Sequence, residues 1–186
     1  MHAVAARDLR TELLAAAAAL LEREGAVAAI SLRAVAREAG VSAPAVYGHF
    51  ADLDALMDAV LDEGFVALLA ATRSAAAGIA DPVDRLVAGC RAYVEQGTAA
   101  PARYLAMFGG RPLAHAGEAF DGLVEAVQAC VSAGRSASRD PRADAELVWI
   151  GLHGLVTLGM TAPGTGRPDP DEQLGALVGR LALLDP

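Results

Sequence analysis

A chain of 186 residues is long enough for one compact domain or for a small domain fused to a larger one. Its 54% hydrophobic content comes largely from Ala, Leu and Val, with 4% aromatic residues, which favours helices over a β-sandwich; no apolar run reaches the ~18 residues of a membrane span. The formal net charge of −8 speaks against DNA as a partner only until it is divided, because residues 1–50 balance Arg7, Arg10, Arg23, Arg33 and Arg37 against Asp8, Glu12, Glu22, Glu24 and Glu38. A neutral head on an acidic body would be oriented on DNA, since phosphate repels the body.

Along the chain, His2–Ala6 reads as a frayed arm. From Arg7 to Glu24, Leu9, Leu13, Ala17 and Leu20 share one face of a helix that Gly25 can stop. The Leu13–Leu21 run mimics a signal-peptide core. Glu12 before it and Glu22 and Glu24 behind it mark an ordinary helix instead, so the chain is expected in the cytoplasm.

Ile30 to Phe50, ISLRAVAREAGVSAPAVYGHF, reads as two short helices across a tight turn, each opened by the same device. Ser31 can cap the first helix, with Ile30 outside and Val35 inside forming a hydrophobic staple; Val41, Ser42 and Val46 repeat the arrangement. Gly40 stands where a positive φ would end the first helix and turn the chain sharply. Leu32, Val35, Ala36 and Ala39 form one apolar stripe, and Val46 and Phe50 share a face of the second helix while Tyr47 and His49 point elsewhere. Two amphipathic core helices would explain the stripe. They would not explain the double cap, the Gly turn and the outward Tyr and His together, which specify a DNA-binding helix-turn-helix.

The string VAREAGVSAPAVYGHF, followed by an acidic cap and ALMDAV, resembles the N-terminal domain of the TetR family of bacterial transcriptional regulators over about residues 7–60. The resemblance implies a DNA-binding domain of three helices and a larger helical domain that binds ligand and dimerises. Carried over by position, Ser42, Ala43, Pro44 and Tyr47 would face the DNA, with Tyr47 and His49 on phosphates; Ser31 and Arg33 complete the expected set. Two positions depart from the family pattern. Gly48 stands where a larger polar or aromatic side chain is frequent, and Asp54 where a Lys is common, so a base or backbone contact and a phosphate contact would be missing.

Asp52 should cap a long helix to about Ala77, in whose first turn Asp54 also suits the helix dipole. No Gly/Ser- or Pro-rich linker follows the motif, so this helix should itself join a DNA-binding domain of residues 1–51 to a ligand-binding and dimerisation domain of residues 52–186. Asp81-Pro82 starts the next helix, to about Thr98, and Pro101 a short one that ends at Gly109-Gly110. Pro112 should open another, to about Gly134. After a polar loop at 136–140, Pro141 opens the helix that carries Trp149 to Met160. Pro163 to Pro170 reads as loop, and Asp171 to Leu184 as the last helix. About nine helices with no period-two pattern make the class all-α.

In the body, Tyr93, Tyr104, Met107, Phe108, Phe120 and Trp149, together with His153, fit an apolar effector site with few polar groups, although such residues also fill ordinary cores. Trp149-x3-His153-Gly154 resembles a C-terminal domain type of TetR-like regulators named for its Trp, His and Gly, over about residues 85–184. Gly151, Gly154 and Gly159 in one helix, and Gly175 and Gly179 in the last, each cost a helix interior ~1 kcal/mol against Ala. Close approach of another backbone would offset that. With Leu174, Leu177, Val178 and Leu181 they are expected to form a four-helix interface across a two-fold axis, close packing within one subunit being the alternative.

Cys90 and Cys130 are expected as buried thiols rather than a disulfide. His2, His49, His115 and His153 are scattered, with no second His and no Cys at i+3 or i+4 beside any of them, and neither a phosphate loop nor a nucleophile elbow occurs. No catalytic residue, metal or other cofactor is therefore expected, nor a membrane partner. The sequence reads as a homodimeric TetR-like regulator, a repressor released from a palindromic operator by a small apolar or amphipathic effector. A ligand-independent regulator and a helical protein–protein adaptor are the alternatives.

Overall fold

The computed structural model describes residues 2–161 and 169–185, with side chains from Leu9 onward, so most of the loop expected at Pro163–Pro170 lies outside the described residues. Among these, nine α-helices run α1 His2–Glu24, α2 Leu32–Glu38, α3 Ala43–Tyr47, α4 Leu53–Ala76, α5 Pro82–Ala99, α6 Pro101–Met107, α7 Ala116–Ser132, α8 Pro141–Thr161 and α9 Pro170–Leu181. The only β-type pairing among the described residues is an isolated bridge between Ser136 and Leu184, so the all-α class holds.

Local chemistry accounts for most helix ends. The Asp52 carboxylate accepts the Ala55 N–H at 2.8 Å and opens α4, and the Asp169 carboxylate does the same for α9. Gly25 and Gly40, with φ of +78° and +69°, end α1 and α2 as expected. Two starts differ from the expectation. α1 begins at His2, without a frayed arm, because neither Gly nor Pro interrupts an Ala-rich segment of high helix propensity. α7 begins at Ala116 rather than Pro112, with His115 at its N-cap position, and Arg111 before Pro112 is held by two carboxylates.

The chain divides into two compact units. The first comprises Met1–Phe65 and Ala100–Ala114, the second Val66–Ala99 and His115–Pro186, and α4 contributes to both. This differs from the expected division at Asp52 because segments distant in sequence are tied to the head. The Glu22 carboxylate at the end of α1 accepts the N–H groups of Ala102 (3.1 Å) and Arg103 (2.9 Å), capping α6 from outside. The Arg111 guanidinium pairs with Asp54 at 2.6 Å and with Asp58. Leu13, Ala17, Leu20 and Leu21 of α1 are buried in this unit, as are Val35, Ala36, Val46, Phe50, Leu56 and Leu61.

In the second unit α8 packs on α5, α7 and α9. Its buried stripe is Ala145, Val148, Leu152 and Val156, spaced at three or four residues. At the C-terminal end of α9, the Ser136 hydroxyl donates to the Ala182 carbonyl at 2.7 Å and the Ala137 N–H reaches Leu183 O at 2.9 Å, which anchors the polar 136–140 loop.

Candidate DNA-recognition face, effector core and pairing face

The recognition face is built by α2, the Gly40 turn and α3. Ser31 Oγ accepts the Ala34 N–H at 3.2 Å and starts α2, and the Val41 N–H returns to the Ala36 carbonyl at 2.9 Å to close the turn. Val35 and Val46 are fully buried, and Ala36 beside them leaves room for the crossing. α3 is thereby fixed with the other side of its chain outward: Tyr47 is 60% exposed. Ser31, Arg33, Ser42 and Pro44 are exposed, and Ala43 and His49 are half-buried.

The expected repeat of the cap fails at α3. Ser42 occupies the N-cap position but its hydroxyl accepts no capping bond: Pro44 has no N–H to give, and the Ala45 N–H goes to the Ser42 backbone carbonyl at 3.0 Å. That leaves a hydroxyl at the start of α3 uncommitted to its own helix. Gly48 has φ of −68°, so its backbone conformation does not demand glycine, and a Cβ there would stand 3.3 Å from the Ala45 carbonyl oxygen. Asp54, the other departure from the family pattern, is engaged by Arg111.

The seven residues expected to line an effector site separate into two groups. Tyr104, Met107 and Phe108 lie in the first unit, where the Phe108 ring stacks 5.4 Å from Phe65 and 4.9 Å from Tyr104. A Cβ on Gly64 would come within 2.6 Å of Met107 Sδ, so glycine lets α6 seat against α4. Tyr93, Phe120, Trp149 and His153 lie in the second unit. There the Trp149 indole N–H donates to Tyr93 Oη at 3.2 Å, and the Phe120 ring stands 6.1 Å from Trp149. Arg142 lies over Phe120 at 4.9 Å. Burial lowers the pKa of His153, leaving it neutral at pH 7. Burial pushes the Cys90 thiol up to about 12, and Cys130 also rises, so both stay protonated.

The residues expected at a subunit interface also separate. Leu174 and Val178 are buried within the second unit, and a Cβ on Gly151 would meet Leu177 Cδ1 at 2.8 Å, so these positions serve α8–α9 packing inside one chain. Leu181 is half-buried. Gly154, Gly159, Gly175 and Gly179 instead have open space where a Cβ would stand. Beside Gly154 on α8 lie Leu147, Ile150 and Leu158, exposed at 49%, 56% and 53%. These leucines and the isoleucine escaped the sequence reading, although their spacing of three, four and four residues through Gly154 was there to find.

The profile described as "Bacterial regulatory proteins, tetR family" matches residues 13–60, and that described as "Tetracyclin repressor-like, C-terminal domain" matches residues 86–181. The latter description makes no mention of a Trp-His-Gly type. A protein with unknown function from Rhodococcus sp. RHA1 is 32% identical, with a TM-score of 0.83 over 94% of this chain and 93% of that one. The regulator PfmR from Thermus thermophilus is 20% identical, with a TM-score of 0.70 over 92% of this chain and 96% of its own. AibR in complex with isovaleryl coenzyme A and operator DNA is 20% identical, with a TM-score of 0.68 over 95% of this chain and 100% of its own. At these last two identities the likeness concerns the fold. No curated protein matches the chain significantly.

Proposed function

As this chain belongs to the TetR family of bacterial regulatory proteins, we propose that it acts as a dimeric repressor, binding a palindromic operator through α2 and α3 and leaving it when a small amphipathic effector binds. The observation that carries this reading is the uncovered face of α3, with Tyr47 60% exposed and the Ser42 hydroxyl outside any cap. Ser42, Ala43 and Pro44 meet base edges, whereas Tyr47 and His49 bind phosphates and set affinity without sequence choice. The recognition motif lies within residues 1–51, and residues 100–114 belong to the same compact unit.

The aromatic residues around Trp149 and Phe108 support an apolar or amphipathic effector. An acyl-type molecule is the class favoured by the isovaleryl coenzyme A complex of a relative in fold. The exposed stripe of α8, with Gly154 at its centre, supports pairing of two chains through α8 and α9. Fully burying a Leu or Ile side chain is worth ~1.5–3 kcal/mol, so three such residues on one face give pairing a sufficient driving force. Among the described residues no helix is long and apolar enough to cross a membrane, and a DNA target would keep the protein in the cytoplasm.

The test is a gel shift with a palindrome from beside the protein's own gene. A salt-sensitive shift is expected, and a helical adaptor of proteins would give none. In the same assay Tyr47→Phe should weaken every duplex about equally and severalfold, as loss of a hydrogen bond of ~0.5–1.5 kcal/mol requires. The preferred sequence should not move. A changed preference in a binding-site selection would assign Tyr47 to base readout instead.

A further inference from the structure

The head carries no net charge over residues 1–50, and Asp54 stands at the start of α4 in an ion pair with Arg111. A phosphate-binding surface needs cations that are not already neutralised. We propose that Arg10, on α1, binds a DNA phosphate at the junction of α3 and α4; this rests on the DNA-binding reading above.

The guanidinium carbon of Arg10 lies 4.4 Å from the centroid of the Phe50 ring. Phe50 itself is buried, three residues past the end of α3 and two before the Asp52 cap of α4. α1 thus delivers an exposed cation to the segment that carries Tyr47 and His49, at the place where α4 offers a carboxylate. Among the described residues Arg10 has no carboxylate partner. Arg23, also on α1, contrasts with it, being held by Glu24 at 3.3 Å and Glu38 at 3.1 Å.

The stacking also bears on how Arg10 would bind. A guanidinium lying on an aromatic ring uses its face, while its N–H donors radiate in its own plane and stay available for a bidentate grip on a phosphate. Held on the ring, the side chain has less rotamer freedom left to lose on binding. A side chain that only covered Phe50 could be apolar.

The test is salt titration of duplex binding by the full-length protein. The probes are a palindromic duplex selected from a random pool by the unaltered chain and a scrambled duplex of the same length. Arg10→Gln should flatten the slope of log affinity against log salt by about 1.8 for a dimer, ~0.9 for each phosphate that is no longer neutralised, and should weaken both duplexes alike. Arg10→Lys, which keeps the charge, should retain most of the slope. An unaltered slope in Arg10→Gln, whether or not its Tm falls, overturns the proposal and leaves Arg10 as a cover for Phe50. Salt-insensitive or absent binding by the unaltered chain would overturn the regulator reading itself, so the two failures are told apart.

Discussion

Gly154→Leu is expected to leave each subunit folded, to yield monomers in sedimentation, and to weaken operator binding by roughly two orders of magnitude or more. A Cβ at Gly154 meets nothing within 4 Å in its own chain, so the position has room within the subunit, and in the proposed pairing a larger side chain there would meet the second copy. Leu147, Ile150 and Leu158 share that face of α8 and are exposed in the single chain. A Leu at the centre of the stripe would hold the two backbones apart and leave the flanking side chains wet. Two heads on one palindrome gain ~10²–10⁴ over either alone through effective concentration, and that is the factor a monomer forfeits. Gly151→Leu supplies the contrast. Its Cβ would stand 2.8 Å from Leu177 Cδ1, so it should overpack α8 against α9 within the subunit and lower stability by ~1–3 kcal/mol with the dimer retained. A Gly154→Leu protein that remains dimeric with unaltered affinity would place the pairing face elsewhere.

The second large effect is mutual: operator DNA should weaken effector binding by the same factor by which effector weakens operator binding. The recognition helices of a dimer must sit ~34–36 Å apart to enter successive major grooves. α4 is one uninterrupted helix that starts at the Asp52 cap beside the recognition motif, and it contributes to both units. Within the first unit its Phe65 packs against Phe108, and its Asp54 and Asp58 hold Arg111. An effector that displaces the Phe108 ring would therefore act on the helix that opens next to the DNA-reading residues. A coupling of ~1–3 kcal/mol, about five- to 150-fold, is enough, and linkage makes it reciprocal. Calorimetry of isovaleryl coenzyme A, or a longer acyl thioester, against free protein and against the protein–operator complex measures it. Equal affinities in the two titrations would leave a DNA binder without this switch.

How far the sequence could be read depended on the range of the interaction. Gly25 and Gly40 end their helices, and Ser31 and Asp52 start theirs, because each of these choices is made by groups within four residues of one another. The same reach sets the period that identified α1 and the motif, and hence the all-α class and the TetR resemblance. Even so, a local rule failed at Ser42, where Pro44 offers no N–H and the Ala45 N–H goes to the Ser42 carbonyl instead of its hydroxyl.

What only the tertiary structure decided is which face of each helix meets which partner. Helices rich in Ala, Leu, Val and Gly offer more than one apolar stripe, so Leu174 and Val178 could have faced a second subunit as well as the core. Packing buried them and left Leu147, Ile150 and Leu158 outside. Nor does any sequence period connect Glu22 to the start of α6, Arg111 to Asp54, or Arg10 to the ring of Phe50. Those contacts arise when segments tens of residues apart converge, and they are what joins residues 100–114 to the head. A helix boundary costs the chain only local entropy, whereas these pairings exist solely once the whole unit has closed around them.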